Sequence, residues 1–232
     1  GALLLDGNIK QFSTREVKIK VKQDDGSLTV ESFTFRNSVH GPVISEKGTK
    51  ALALRISGLD NTGMFEQYHR MAAASDLKTF EAALSMLQNP MFNVVYADKD
   101  GNILYLFEGN VPKRSTGDFS FWSGTIDGTR SELIWKETHG YEDLPRVLNP
   151  PSGFLQNCND PPWTCTYPQV LDPSDFPAYM SPRGMGWRAQ RAVNMMKGDA
   201  PVSFEDLVGY KLNTEMEVAN RFLDDLLAAA TG

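Results

Sequence analysis

Apolar and polar positions alternate through the first third of the chain. Val17, Ile19 and Val21 are interleaved with Lys18, Lys20 and Lys22, the period of two that marks a strand with one buried face. Asp24-Asp25-Gly26 is a turn signal, and Leu28, Val30, Phe33 and Phe35 carry a return strand with one break of phase. Gly41-Pro42 punctuates a third strand, and Leu52, Leu54 and Ile56 mark a fourth, so the pattern predicts an antiparallel meander. The period then changes. Residues 64–74 and 76–88 read as two helices, with Ser75 the expected N-cap of the second. Leu77, Phe80, Leu84 and Leu87 recur at helical spacing and form one apolar stripe, which Asn89-Pro90 ends. Residues 92–98 and 102–108 flank Asp100-Gly101 and predict a hairpin. From 109 to 185 the chain is rich in Gly, Pro, Ser and Trp, a long irregular stretch of the kind that usually carries function. Residues 187–197 and 203–230 return to helix, with Ser203 as a cap just after Pro201. No internal repeat is present.

Composition narrows the function classes. At 232 residues, 41% apolar and 22% charged, the chain has the make-up of a globular protein and not of a disordered or low-complexity one. Its 23 basic against 29 acidic side chains give a formal charge of −6, opposite to the usual balance of a nucleic-acid binder. No apolar run approaches the roughly 18 residues of a membrane span. Gly1-Ala2-Leu3-Leu4-Leu5 has neither a basic start nor a cleavage site, so it is not a signal peptide. With no initiator Met, the chain reads as an excised internal piece.

Several local patterns invite chemistry and are better explained otherwise. His40, His69 and His139 lack the close spacing of zinc ligands and read as solvated or hydrogen-bonded side chains. Asp98-Lys99-Asp100-Gly101-Asn102 resembles the opening of a calcium loop, but Ile103 stands where the obligatory Gly belongs, and a hairpin turn accounts for it. Gly184-Met185-Gly186-Trp187-Arg188-Ala189 matches a dinucleotide pattern without the preceding strand, and is rejected. Cys158 and Cys165 are either a disulfide closing a small ring or two free thiols. The stretch from Gly153 to Trp163 is the most unusual. An Asn amide at a strand end is a neutral, well-placed oxyanion donor, whereas Asn-Asp-Pro is also ordinary turn chemistry.

Taken in order, several segments resemble the penicillin amidase family of N-terminal-nucleophile hydrolases. They are Ser38-Val39-His40-Gly41-Pro42-Val43-Ile44, Ala51-Leu52-Ala53-Leu54-Arg55, Asn93-Val94-Val95-Tyr96-Ala97-Asp98 with Gly101-Asn102-Ile103, Pro151-Ser152-Gly153-Phe154-Leu155-Gln156-Asn157-Cys158-Asn159, and Arg188 with Met195-Met196. No single motif is specific; their order over nearly the whole chain carries the match. The resemblance implies an α+β chain, a strand-rich section of an αββα fold with C-terminal helices. Residues 1–232 would be an internal segment of the family's second chain. Residues 1–150 would supply meander, helix pair and hairpin, and 151–232 the active-site loop and C-terminal helices.

The resemblance also implies a mechanism. Family precursors cut themselves in two, and the new chain starts with Ser, Thr or Cys, whose free α-amine is the general base for attack on an amide. An α-amine titrating near 7.7–8.0 suits that work at neutral pH. That nucleophile is expected upstream of residue 1, so the segment alone is expected to be inactive. Asn159 matches the family's oxyanion-hole Asn, and Arg188 the Arg that orients the site and biases the amine. Asn157 is expected to be structural. No cofactor is required. A structural calcium ion is possible in the intact enzyme, with Asp172 or Asp175 in about the right segment but no ligand assigned. Trp163, Tyr167, Phe176 and Tyr179 either line an acyl pocket or, preferably, pack the loop. Penicillin side chains, acyl-homoserine lactones and lipopeptides all remain candidate acyl groups. The partners implied are the rest of the precursor's two chains and a small acyl amide, in the periplasm or secreted, a setting that would suit a Cys158–Cys165 disulfide. The alternative is a non-catalytic, β-rich ligand-binding module with a closed surface.

Overall fold

The computed structural model describes residues 1–198 and 201–231. They mix helix and strand in an α+β chain and fall into two compact units. Residues 1–59, 112–116 and 124–138 form the first, and most of the remainder forms the second.

The first unit opens with a hairpin that the hydrophobic pattern did not signal, β1 (Ala2–Leu5) and β2 (Asn8–Gln11). Its turn places Asp6 and Gly7 at φ 46° and 77°, a left-handed pair that Asp and Gly tolerate. Asp6 also accepts the Ser131 N–H at 3.0 Å. The meander follows as expected: β3 (Ser13–Lys22), β4 (Leu28–Ser38), β5 (Gly41–Lys47) and β6 (Lys50–Ala53) lie antiparallel in sequence order. The last strand stops before Leu54 and Ile56. Gly41, at φ 123°, is needed where the chain crosses itself, because a Cβ there would sit 2.2 Å from the Leu54 carbonyl oxygen.

The predicted buried face of β3 is only partly covered, with Val17 and Val21 half-buried. Register pairs Val17 with Phe33 and Arg15 with Phe35, so Val17, Ile19, Val21, Phe33 and Phe35 share one face. Yet Phe33 and Phe35 remain 39% and 50% exposed and Ile19 44%. Register also explains the break of phase: Leu28 and Val30 stand opposite Lys22 and Lys20, on the other face.

The second unit is built on a three-stranded sheet. Helices α1 (Met64–Ala73) and α2 (Leu77–Leu84) lead into β7 (Met91–Ala97) and β8 (Ile103–Gly109). A one-turn helix, α3 (Phe119–Trp122), and a short strand, β9 (Arg146–Leu148), follow. The sheet order β7-β8-β9 puts β8 in the centre, covered on both faces. Leu104 and Leu106 pack with Leu84 and Leu144, and the predicted stripe Leu77, Phe80 and Leu87 lies against them. Tyr105 points the other way, against Val147 and Cys165. Each wholly buried Leu here is worth about 2 kcal/mol of transfer free energy.

Three boundaries differ from the pattern, each for a local reason. The cap of α2 is Asp76 and not Ser75: its carboxylate accepts the Thr79 N–H at 2.8 Å, and the Thr79 hydroxyl answers the Asp76 N–H. The helix ends at Leu84 and not near 88, because the buried Gln67 carbonyl captures the N–H groups of Gln88 and Asn89 at 2.7 and 2.9 Å. The last predicted helix is two. After α4 (Trp187–Met196) come α5 (Phe204–Lys211), capped by Ser203 as expected, and α6 (Glu217–Thr231). Between them the Asn213 side chain accepts the Glu215 N–H at 3.1 Å, an alternative to the helical bond. No helix among the described residues is long and apolar enough to cross a membrane.

Candidate active site

Asn159 and Arg188 meet at one junction of the second unit, where the loop after β9 runs past the start of α4. The Arg188 guanidinium donates to the Cys158 carbonyl at 2.7 Å, one residue before Asn159. On the other side of Asn159, the Asp160 carboxylate accepts the N–H of Gly186, the N-cap of α4, at 2.9 Å. An anion is favoured there by the helix dipole as well as by the bond. Gly186 permits this approach, since a Cβ would lie 3.0 Å from Asp160 Oδ1. The loop is therefore clasped to the helix on both sides of Asn159.

Asn159 is not extended, as a strand end would have it. Its φ of 60° is left-handed, a region Asn enters more easily than most residues. The side chain is exposed, and among the described residues its amide makes no hydrogen bond, so it is available to a ligand. Its backbone N–H is held by Asn157 Oδ1 at 3.1 Å. Asn157 in turn accepts from Asn93 Nδ2 on β7 at 3.2 Å, and Asn93 Oδ1 accepts from the Tyr105 hydroxyl on β8 at 3.1 Å. Burial pushes the Tyr105 phenol well above its ordinary range, so it stays a neutral donor. Asn93, Tyr105, Asp160 and Gly186 were not found from sequence. Their partners lie 12 to 64 residues away, and no local spacing announces such contacts.

The cysteines are free thiols and not a disulfide. Cys165 lies in the core against Tyr105, and burial raises its pKa to about 12. Cys158 is half-buried; its pKa is also raised by burial, with Arg188 pulling the opposite way. Trp163 is buried, donates to the Pro182 carbonyl at 2.8 Å and packs on Phe176, which supports loop packing over a pocket wall. Tyr179 pairs with His139 Nε2 at 3.0 Å, and His40 Nε2 with the Gly128 carbonyl at 2.8 Å, while His69 is exposed.

Metal chemistry finds little support in these side chains. Asp172 accepts the N–H and hydroxyl of Ser174, at 2.8 and 2.7 Å. Among the described residues no three His, Cys, Asp or Glu side chains gather closely enough to hold an ion, so these residues do not fit a complete calcium site. The loop at Asp98 is a turn: its carboxylate accepts from Asn102 Nδ2, the N–H groups of Asn102 and Asp100, and the Tyr96 hydroxyl. The glycine-rich stretch before α4 is irregular, with no strand ahead of it, so it is not a dinucleotide fold.

A sequence profile described as penicillin amidase matches residues 1–231. An acyl-homoserine lactone acylase PvdQ of Pseudomonas fluorescens is 27% identical over 98% of this chain and 32% of its own length. A penicillin G acylase of Escherichia coli is 30% identical over 70% of this chain and 19% of its own. The chain thus spans about a third or less of these curated relatives. Among solved structures, the thermostable penicillin G acylase of Alcaligenes faecalis superposes with a TM-score of 0.70 at 20% identity, over 90% of this chain and 35% of that one, and so shares the fold.

Proposed function

The chain belongs to the penicillin amidase family, and from that premise we propose that it is an internal part of the nucleophile-bearing chain of an amidohydrolase that cleaves a linear acyl amide. The nucleophile is an N-terminal Ser, Thr or Cys supplied by sequence outside these 232 residues. Its α-amine takes the hydroxyl or thiol proton as the nucleophile attacks the amide carbonyl. The leaving amine receives a proton, and water then releases the acyl group.

Within this chain, Asn159 donates from its side-chain amide to the oxyanion of the tetrahedral intermediates. Arg188 holds the loop by the Cys158 carbonyl and lowers the pKa of the nearby amine by its charge. The observation that carries the reading is the clasped junction itself. It ties the Asn159 loop to the helix of Arg188 and leaves the Asn159 amide exposed and unengaged among the described residues.

The partners in this reading are the remaining parts of the same precursor. The largely unburied apolar face of β3 and β4 and the exposed Phe204, Leu207, Leu226 and Leu227 of the C-terminal helices support it over a closed binding module. The relatives named for acyl-homoserine lactones and penicillin G make those the first amides to test. A periplasmic or secreted site belongs to the same proposal.

The test is intact mass and N-terminal sequencing of the full-length protein after expression, followed by assay on both amides. Two chains, the second starting at Ser, Thr or Cys upstream of this segment, are expected together with amide hydrolysis. A single uncut chain that binds without turnover would replace the hydrolase with the binding module.

A further inference from the structure

We propose that Asn157 is the positioning residue for Asn159, and that Asn93 and Tyr105 extend it into a directional relay from the sheet to the oxyanion site. The inference rests on Asn159 being the oxyanion donor.

The direction of the relay follows from a group that has no choice. The Asn159 backbone N–H is only a donor, so the Asn157 atom it meets, at 3.1 Å, must be oxygen. That oxygen also faces the Asn93 amide at 3.2 Å, which obliges Asn93 to present its NH₂ there. The Asn93 oxygen is then turned to the Tyr105 hydroxyl, 3.1 Å away, which donates to it. Tyr105 is wholly buried on the central strand between Val147 and Cys165 and has no room to re-aim. Each amide is thus set by its neighbour, and the series ends on the peptide of the residue that must point at the oxyanion.

The left-handed backbone of Asn159 gives the relay its task. A residue at φ 60° stands in a minor conformation and returns to the β region unless something holds it. Asn157 Oδ1 holds the N–H of that residue, while its Nδ2 reaches the Asp160 carbonyl at 3.4 Å on the far side. One side chain thus spans the turn, from the peptide before Asn159 to the peptide after Asp160. Loss of its oxygen frees the turn without touching any group that meets substrate.

The experiment uses the full-length, processed enzyme, with penicillin G and an N-acyl-homoserine lactone as probes, and follows kcat and KM separately. Asn157→Leu keeps the size and removes the acceptor. Its kcat is expected to fall about 10- to 100-fold with KM changed less than about threefold, since only transition-state alignment is lost. Asn157→Asp keeps the accepting oxygen but loses the Nδ2 bond to the Asp160 carbonyl, so it is expected to recover only part of that loss. Tyr105→Phe removes only the far hydroxyl, with an expected loss of a few-fold, and carries the test should Asn157→Leu fail to fold.

The decisive comparison is the Asn157→Leu, Asn159→Gly double variant. Coupled residues lose no more together than Asn159→Gly alone, whereas independent structural damage multiplies. Multiplying losses, or a wild-type kcat in both Asn157→Leu and Tyr105→Phe, overturn the relay. An undiminished kcat in Asn159→Gly instead removes the oxyanion reading on which it rests.

Discussion

The guanidinium of Arg188 and the main-chain carbonyl of Cys158 lie 2.7 Å apart across thirty residues of sequence, and this bond fixes where the α4 cation stands relative to Asn159. A charge-assisted bond of this kind, like that of the Asp160 carboxylate to the Gly186 N–H, is stronger than the neutral contacts of the loop. In the proposed function Arg188 therefore has two separable jobs, holding the loop by hydrogen bonding and acting by charge on the amine.

These two jobs predict different pH profiles in the full-length enzyme. In Arg188→Ala the α-amine loses a neighbouring cation, its pKa rises, and the acidic limb of kcat/KM moves to higher pH by about half to one unit. Arg188→Lys keeps the charge and loses the planar fork, so turnover falls but the limb stays where it was. Identical profiles for all three proteins would confine Arg188 to loop support.

Asn159→Gly removes the amide and keeps a residue at ease at φ 60°, so it truncates without straining the backbone. Turnover is expected to drop about 10²- to 10³-fold, the usual cost of one oxyanion donor, with little change in KM. The check is steady-state kinetics beside Asn61→Gly, an Asn of the same unit outside the loop. Equal losses in the two would deny Asn159 its role.

Acid stability should report on the Asp98 turn. Four donors, the Asn102 side chain foremost, depress its carboxyl to about 2 from an ordinary 3.8. A depressed carboxyl contributes stability that is full above the unfolded pKa and is lost as pH falls through the folded one. Thermal melting between pH 5 and pH 2 should therefore decline across pH 4 to 2, and less steeply in Asp98→Asn. Parallel declines would show that other carboxylates dominate.

Two glycines of the first unit make a steric prediction. Gly41→Ala drives a Cβ to 2.2 Å from the Leu54 carbonyl oxygen, a backbone atom that cannot swing away. Gly48, at φ 60°, has nothing within 4 Å of the same added atom. Gly48→Ala should cost about 1 kcal/mol from its left-handed backbone alone, and Gly41→Ala clearly more. Denaturant titration of both variants ranks them, and equal midpoints would contradict the close approach.

The thiols should differ in reactivity. Cys165, in the core with its pKa near 12, is expected to resist a disulfide reagent until the protein unfolds. Cys158, only partly covered, should react slowly in the folded state. Two titratable thiols on unfolding without reductant would agree with the unpaired state, and none would restore the disulfide.

Much of the fold was legible because it is local. The alternation at Val17, Ile19 and Val21 gave β3, Asp100-Gly101 gave the β7–β8 hairpin, and the stripe from Leu77 to Leu87 is the face that meets Leu104 and Leu106. What failed was decided by side chains from elsewhere. Gln67 ends α2 from another helix, and Asn213 breaks the last helix by a bond no periodicity encodes. The candidate site came only from family resemblance: Asn159 and Arg188 stand out by no local chemistry. The buried face expected for β3 is apolar as read but only partly covered here, since a pattern records what a strand wants to cover and not what covers it.

The placement of β8 bears on how the second unit opens. Leu104 and Leu106 belong to one layer and Tyr105 to the other, so the strand cannot loosen on either side without exposing residues that hold both. Its amide protons should exchange with solvent only when the whole unit unfolds, whereas those of the exposed α5 exchange through local fraying. Asn93 and Tyr105 stand on β7 and β8, so the Asn159 turn is moored to the part of the unit that opens last. Warming or mild denaturant should therefore release the C-terminal helices well before the Asn159 turn gives way.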